Sequence, residues 1–139
     1  MKLSDILFEE HHMKKRQVSL AVLTYDGRVL ILKRVMNEND RNGGRWGFPG
    51  GGVEEGENPL EAVIRECEEE IGVTPIGLKK IDRNGRITWF KRKLPASPEK
   101  CVRLNGEHDD WDMVDSQSIY DFDTIDGMPE MVRMVLHEV

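Results

Sequence analysis

The 23 residues at 51–73, GGVEEGENPLEAVIRECEEEIGV, concentrate the side chains whose types and spacing suit chemistry. Glu66, Glu69 and Glu70 recur at helical spacing. At roughly 100° per residue they share one flank of a helix, about 180° to 280° around from Leu60. Carboxylates set side by side repel one another, so the flank calls for a cation among them. The chemistry that uses such a flank is coordination of a divalent ion, since Mg²⁺ takes oxygen ligands and is bound through a few carboxylates plus substrate phosphate oxygens. A solvated acidic face is the plainer reading, and it explains neither the glycines nor the spacing.

The element that must carry these groups has legible ends. Asn58 is a favoured N-cap, Pro59 suits the first helical position, and Glu61 sits where a capping-box acid belongs. Gly72 can take the positive φ of a helix C-terminus, and Pro75 prevents continuation. The spacing therefore predicts a helix over 59–71. Val63, Ile64, Cys67 and Ile71 fall within about 60° of Leu60, and the five form its core-facing stripe.

Taken together, these residues resemble the Nudix box, G-x5-E-x7-R-E-U-x-E-E-x-G-U, where U is a bulky aliphatic residue. Gly51, Glu57, Arg65, Glu66, Glu69, Glu70, Gly72 and Val73 match it. Cys67, at the first U, is the one departure, a smaller apolar residue that affects packing rather than chemistry. The preceding Trp46-Gly47-Phe48-Pro49-Gly50 is similar to the usual lead-in.

The resemblance implies an α/β (α+β) class domain with the Nudix fold, an α/β/α sandwich around a mixed sheet. It covers one domain in the 139-residue chain, with residues 1–16 as a lead-in. It also implies an enzyme that cuts a phosphoanhydride bond in a nucleoside diphosphate linked to another moiety, using Mg²⁺ or alternatively Mn²⁺. The first expectation for the substrate is a nucleoside triphosphate of the (d)NTP type, cut to monophosphate and pyrophosphate. Dihydroneopterin triphosphate, ADP-ribose, dinucleoside polyphosphates and RNA 5′ ends are alternatives. A non-catalytic nucleotide-binding module is a reading of a different class, disfavoured because such modules generally lose box glutamates. Carried over residue by residue, Glu66, Glu69 and Glu70 are metal ligands, joined by the carbonyl of Gly50. Arg65 pairs with acids of the box, Glu57 first, as supporting residues. The general base is either Glu66 or Glu107. Glu107 lies in LNGEHDDWDMV, similar to an E-H-x-x-x-x-W-V stretch of several subfamilies, with Met113 in place of the second aromatic. It is a metal ligand or base on one reading, and one more exposed acid beside Asp109, Asp110 and Asp112 on the other.

Composition bounds the rest. A 38% hydrophobic and 33% charged chain reads as one globular domain, and no apolar run is long enough to cross a membrane. The N-terminal residues are too acidic for a signal peptide, so the cytoplasm is the expected compartment. Cys67 and Cys101 have neither metal-ligand nor disulfide spacing. The net charge of −6 argues against broad binding to nucleic acid; the resemblance to the Nudix family implies a small nucleotide as the partner. Oligomeric state is left open, a homodimer included. His11 and His12 diverge on any regular element and are not read as ligands.

Along the chain, 17–25 and 28–34 read as strands joined by Asp26-Gly27, and 35–45 as a polar loop over a ligand site. Segments 76–83 and 86–94 read as a second hairpin turning at Asn84-Gly85, with Trp89 and Phe90 on opposite faces. Short strands are expected at 101–104 and 111–114, a helical turn from Asp115 to Ile119, and a last helix from Pro129 to about Glu138. Trp46, Trp89, Trp111 and Tyr120 are candidate platforms for a nucleobase.

Overall fold

A computed structural model describes residues 16–137 of the chain. Residues 3–8, for which the sequence suggests one short helical turn or strand, and the pair His11 and His12 lie outside the described residues. Strands β1 (Val18–Tyr25) and β2 (Arg28–Arg34) form an antiparallel hairpin. Its turn, Asp26-Gly27, takes φ of 51° and 74°, the doubly positive conformation that matches the twist of flanking strands. Next come β3 (Trp46–Gly47), β4 (Gly50–Gly52), helix α1 (Pro59–Ile71), β5 (Lys79–Asn84) and β6 (Ile87–Lys93). Helix α2 (Pro98–Cys101), β7 (His108–Val114), a 3₁₀ turn (Ser118–Asp121) and α3 (Met128–His137) complete the described chain.

The strands make one mixed sheet in the order β3-β2-β1-β6-β5, with β4 paired to β1 and β7 to β2. The β1–β6 pairing is parallel and the others are antiparallel. β1 is apolar on both sides because both sides are covered. Ala21 and Leu23 pack with Leu30, Leu32 and Phe90 against Val63, Cys67 and Ile71 of α1. Val22 packs with Val29, Ile31, Trp89 and Val114 against Met131, Val132 and Val135 of α3. This is the α/β/α sandwich that the sequence resemblance implies.

Several local expectations are corrected. The second hairpin turns at Gly85-Arg86 rather than Asn84-Gly85, since Asn84 still pairs with Ile87 and Gly85 supplies the positive φ of 59°. Pro98 opens a turn of helix through Cys101 where a strand was expected from Cys101 onward. The strand expected at 111–114 begins earlier, at His108, because β7 pairs with β2 along that whole length. Trp89 and Phe90 are both buried, one in each core, so neither faces a ligand. Trp46 is occupied in an edge-to-face contact with Phe122, with ring centroids 5.0 Å apart.

Candidate functional site

Helix α1 begins and ends as its sequence requires. The Asn58 side chain accepts from the Glu61 N–H at 2.8 Å, the Glu61 carboxylate accepts from the Asn58 N–H at 3.0 Å, and Gly72 closes the helix at φ 68°. Its buried face is rotated from the expected stripe. Leu60 is 41% exposed, whereas Glu70 is buried at 3% beside Val63, Cys67 and Ile71. The reason is β4. One oxygen of Glu70 accepts the Gly50 N–H at 2.7 Å, which gives the buried carboxylate a backbone partner. The three helix glutamates therefore differ: Glu70 is buried, Glu66 half-buried and Glu69 exposed. Burial, with the charges of Glu66 and Glu107 added, pushes the Glu70 carboxyl up to about 8 despite the Gly50 N–H.

Two glycines make this approach feasible. Gly50 sits at φ 140°, and a Cβ there would lie 2.2 Å from the carbonyl oxygen of Ser19 on β1. At Gly51 a Cβ would lie 2.7 Å from the carboxyl carbon of Glu66. A strand of three glycines carries no apolar alternation, so β4 gave no strand signal in the sequence.

Arg65 binds the loop before the helix to the helix itself. Its guanidinium donates to both oxygens of Glu57 at 2.8 and 3.1 Å and to the carbonyl of Gly52 at 3.1 Å. It also reaches Glu66 at 3.0 Å and Glu69 at 3.3 Å, so it is part of the acidic cluster. Hydrogen bonding from Arg65 pulls the Glu57 carboxyl down to about 2. Glu66 moves the other way: burial raises its carboxyl against the pull of Arg65.

Glu107 stands across from α1 on the turn before β7, where Asn105 accepts its N–H at 2.9 Å and its carbonyl accepts the Val35 N–H at 3.1 Å. Its charge raises the carboxyls of both Glu66 and Glu70. Among the described residues its own carboxylate has no hydrogen-bond or ion-pair partner. It borders an open cavity of about 800 Å³ lined also by Arg34, Met36, Asn37 and Asp40. Residues 35–40 of the polar loop line this cavity together with Glu107. Asp110 and Asp112 are spread along β7 opposite Lys33 and Ile31.

Two neighbours escaped sequence reasoning. His108 is 5% exposed, its Nε2 lies 3.6 Å from Glu70, and among the described residues its Nδ1 has no partner. Burial and the nearby Arg34 hold its pKa down, which favours neutral imidazole. Arg34 is ion-paired to Asp40 at 2.8 Å and faces both Glu70 and His108. A histidine among exposed aspartates carries no sequence sign of burial; only the β2–β7 register, Arg34 opposite His108, buries it.

The donor set is all oxygen and suits a hard divalent cation. No three acidic, cysteine or histidine side chains among the described residues converge closely enough to enclose an ion by themselves.

The NUDIX domain family matches residues 13–134, nearly the whole described chain. The chain belongs to the Nudix family. It is similar to an RNA pyrophosphohydrolase of Halorhodospira halophila, with 38% identity over 89 residues, 64% of this chain and 43% of that protein. A second RNA pyrophosphohydrolase, of Bartonella quintana, is 33% identical over 94 residues, 66% of this chain and 52% of that protein. The chain thus spans about half the length of the curated relatives it matches. Among solved Nudix folds, the Escherichia coli dihydroneopterin triphosphate pyrophosphohydrolase superposes with TM-score 0.68 at 20% identity, covering 88% of this chain and 95% of that one. A MutT protein of Methanosarcina mazei gives TM-score 0.66 at 24% identity, covering 88% and 94%. Both support the fold.

Proposed function

We propose that this protein is a divalent-metal-dependent pyrophosphohydrolase that cuts a phosphoanhydride bond in a 5′-triphosphate, with the triphosphorylated 5′ end of RNA as its substrate. The observation that carries the reading is the gathering of Glu66, Glu69, Glu70 and Glu107 near the Gly50–Gly51 backbone, with Arg65 holding Glu66 and Glu69 and the Gly50 N–H holding Glu70. Sequence reasoning placed free (d)NTPs first and RNA ends among the alternatives. The order is reversed here because the curated relatives at 33–38% identity carry the RNA pyrophosphohydrolase name.

Glu66, Glu69 and Glu70, with the Gly50 carbonyl, are the groups that would hold the metal, and Glu107 would complete the set from the opposite side. When bound, a divalent ion neutralises charge on the phosphate oxygens and lowers the pKa of a bound water. Arg65 keeps Glu66 oriented while tying down Glu57, and the Gly50 N–H keeps Glu70 oriented. Glu107 is the general base on this reading, because it is the cluster carboxylate that has no partner among the described residues and opens onto the cavity. It accepts a proton from the attacking water as the new phosphorus–oxygen bond forms, and pyrophosphate departs with the electrons of the broken one.

Two measurements test this. Assays with triphosphorylated oligoribonucleotide, GTP and dGTP, each read for pyrophosphate and phosphate separately, should give the highest kcat/KM on the oligonucleotide with pyrophosphate as product. Faster turnover of free dNTPs would restore the original order. Glu107→Gln should lower kcat by about 10² to 10⁴ with little change in KM. If that variant stays active while Glu66→Gln is dead, the base is Glu66.

A further inference from the structure

The protein's charge is segregated. The outer hairpin, β5 and β6 with their turn, spans 15 residues and carries seven basic side chains against a single acid, Asp82. It is therefore a local +6 within a chain of net −6, and the remainder of the molecule is correspondingly more acidic. A charge or two would suffice to keep the β5 edge from pairing with another chain. Here the positive run continues onto β6, an inner strand, which edge protection does not require.

Register sorts these cations by face. Lys80 pairs with Phe90 and Arg83 with Thr88, and Arg92 alternates onto the same side as Phe90, which packs in the core that α1 covers. Lys80, Arg83 and Arg92 are exposed, and among the described residues no carboxylate lies within ion-pair distance of them. The same register fixes their distance from the acidic cluster. Leu20 pairs with Gly50 on one side and with Trp89 on the other, and Trp89 pairs with Asp82. Gly50 and β5 are thus three strand spacings apart, roughly 14 Å at about 4.8 Å each. A few nucleotides span that distance.

We propose that this basic hairpin face, centred on Lys80, Arg83 and Arg92, is the track that holds the single-stranded RNA chain behind the 5′-triphosphate. The inference rests on the reading of the substrate as an RNA end. It also removes an objection to that reading: the net charge of −6 speaks against nucleic acid only if charge is spread evenly, and polyanion binding needs just one basic face. The acidic remainder would repel the backbone elsewhere and so restrict it to this face.

The test separates binding from hydrolysis. Fluorescence anisotropy of a labelled 5′-hydroxyl single-stranded oligoribonucleotide, which presents no scissile bond, reads the track alone over a range of salt. The triple reversal Lys80→Glu, Arg83→Glu and Arg92→Glu should weaken binding at least tenfold and flatten the log–log salt slope by about 2, at about 0.7 per lost phosphate contact. GTP hydrolysis should stay within twofold of the parent. The neutral triple Lys80→Gln, Arg83→Gln and Arg92→Gln should show the same pattern more weakly, and guards against misfolding of the reversed protein. Arg28→Glu, at the start of β2, should bind as the parent does. Unchanged RNA binding by both triple variants would overturn the track, as would tighter binding of phosphatidylserine vesicles than of RNA through the same residues. If RNA binding depends on the hairpin but triphosphorylated RNA is not cut, the track stands and the substrate reading falls.

Discussion

At the scale of single residues, the site depends on how closely backbone and carboxylates approach one another. Gly51→Ala would put a methyl group 2.7 Å from the Glu66 carboxyl carbon. The flexible end of Glu66 can swing aside, so folding should hardly suffer while the ligand geometry is lost. The expected outcome is a fall in kcat of roughly 10² with Tm changed by only a few degrees, since misplacement by about 1 Å has that scale of effect. Gly50→Ala is the contrasting case, because its methyl group would meet the Ser19 carbonyl oxygen at 2.2 Å with φ at 140°. Backbone strain there, about 1–3 kcal/mol before the clash is counted, should appear as a clear loss in chemical denaturation. Glu70→Gln keeps the shape and removes the negative charge that the carboxylate would take on beside a bound cation. We expect kcat to fall about 10² or more in a folded protein; undiminished turnover would remove Glu70 from the site.

At the scale of elements, Arg65 joins the loop at 52–57 to α1, and the pair titrates with a definite sign. The Glu57 carboxyl is held at about 2 in the folded protein, below its ordinary value of 4.5, chiefly by its hydrogen bonds to Arg65. Its contribution to stability is therefore complete above about pH 4.5 and is lost as pH falls toward 2. Thermal melts over that window should show an acid-side decline that is shallower in Glu57→Gln. If the variant declines as steeply as the parent, the clamp contributes nothing to folding. The helix ends were legible because caps act locally, through Asn58, Pro59, Glu61 and Gly72. The rotation of its buried face was not, because Leu60 and Glu70 exchange roles only when β4 supplies a hydrogen-bond donor over the helix.

At the scale of the whole molecule, the acidic cluster and the basic hairpin lie on opposite sides of β1. Gathering carboxylates without a cation opposes folding, so a bound ion should stabilise the protein by mass action. Mg²⁺ at about a hundred times its Kd should add about 2.7 kcal/mol, read as a rise in Tm. Glu66→Gln combined with Glu70→Gln should abolish most of that rise. An equal rise in the double variant would place the ion elsewhere.

The sequence by itself determined the family, the helix with both its caps, the β1–β2 hairpin and the identity of the box residues, because each is written in contacts spanning a few positions. Tertiary structure decided which glutamate is buried, that Arg65 bonds Glu66 and Glu69 as well as Glu57, and that His108 and Arg34 stand at the cluster. It also decided that Trp89 is buried in the core and that Trp46 packs edge-to-face on Phe122. These depend on pairings between distant strands, Leu20 with Gly50 and Arg34 with His108, and no local propensity or periodicity encodes a register between segments so far apart in the chain.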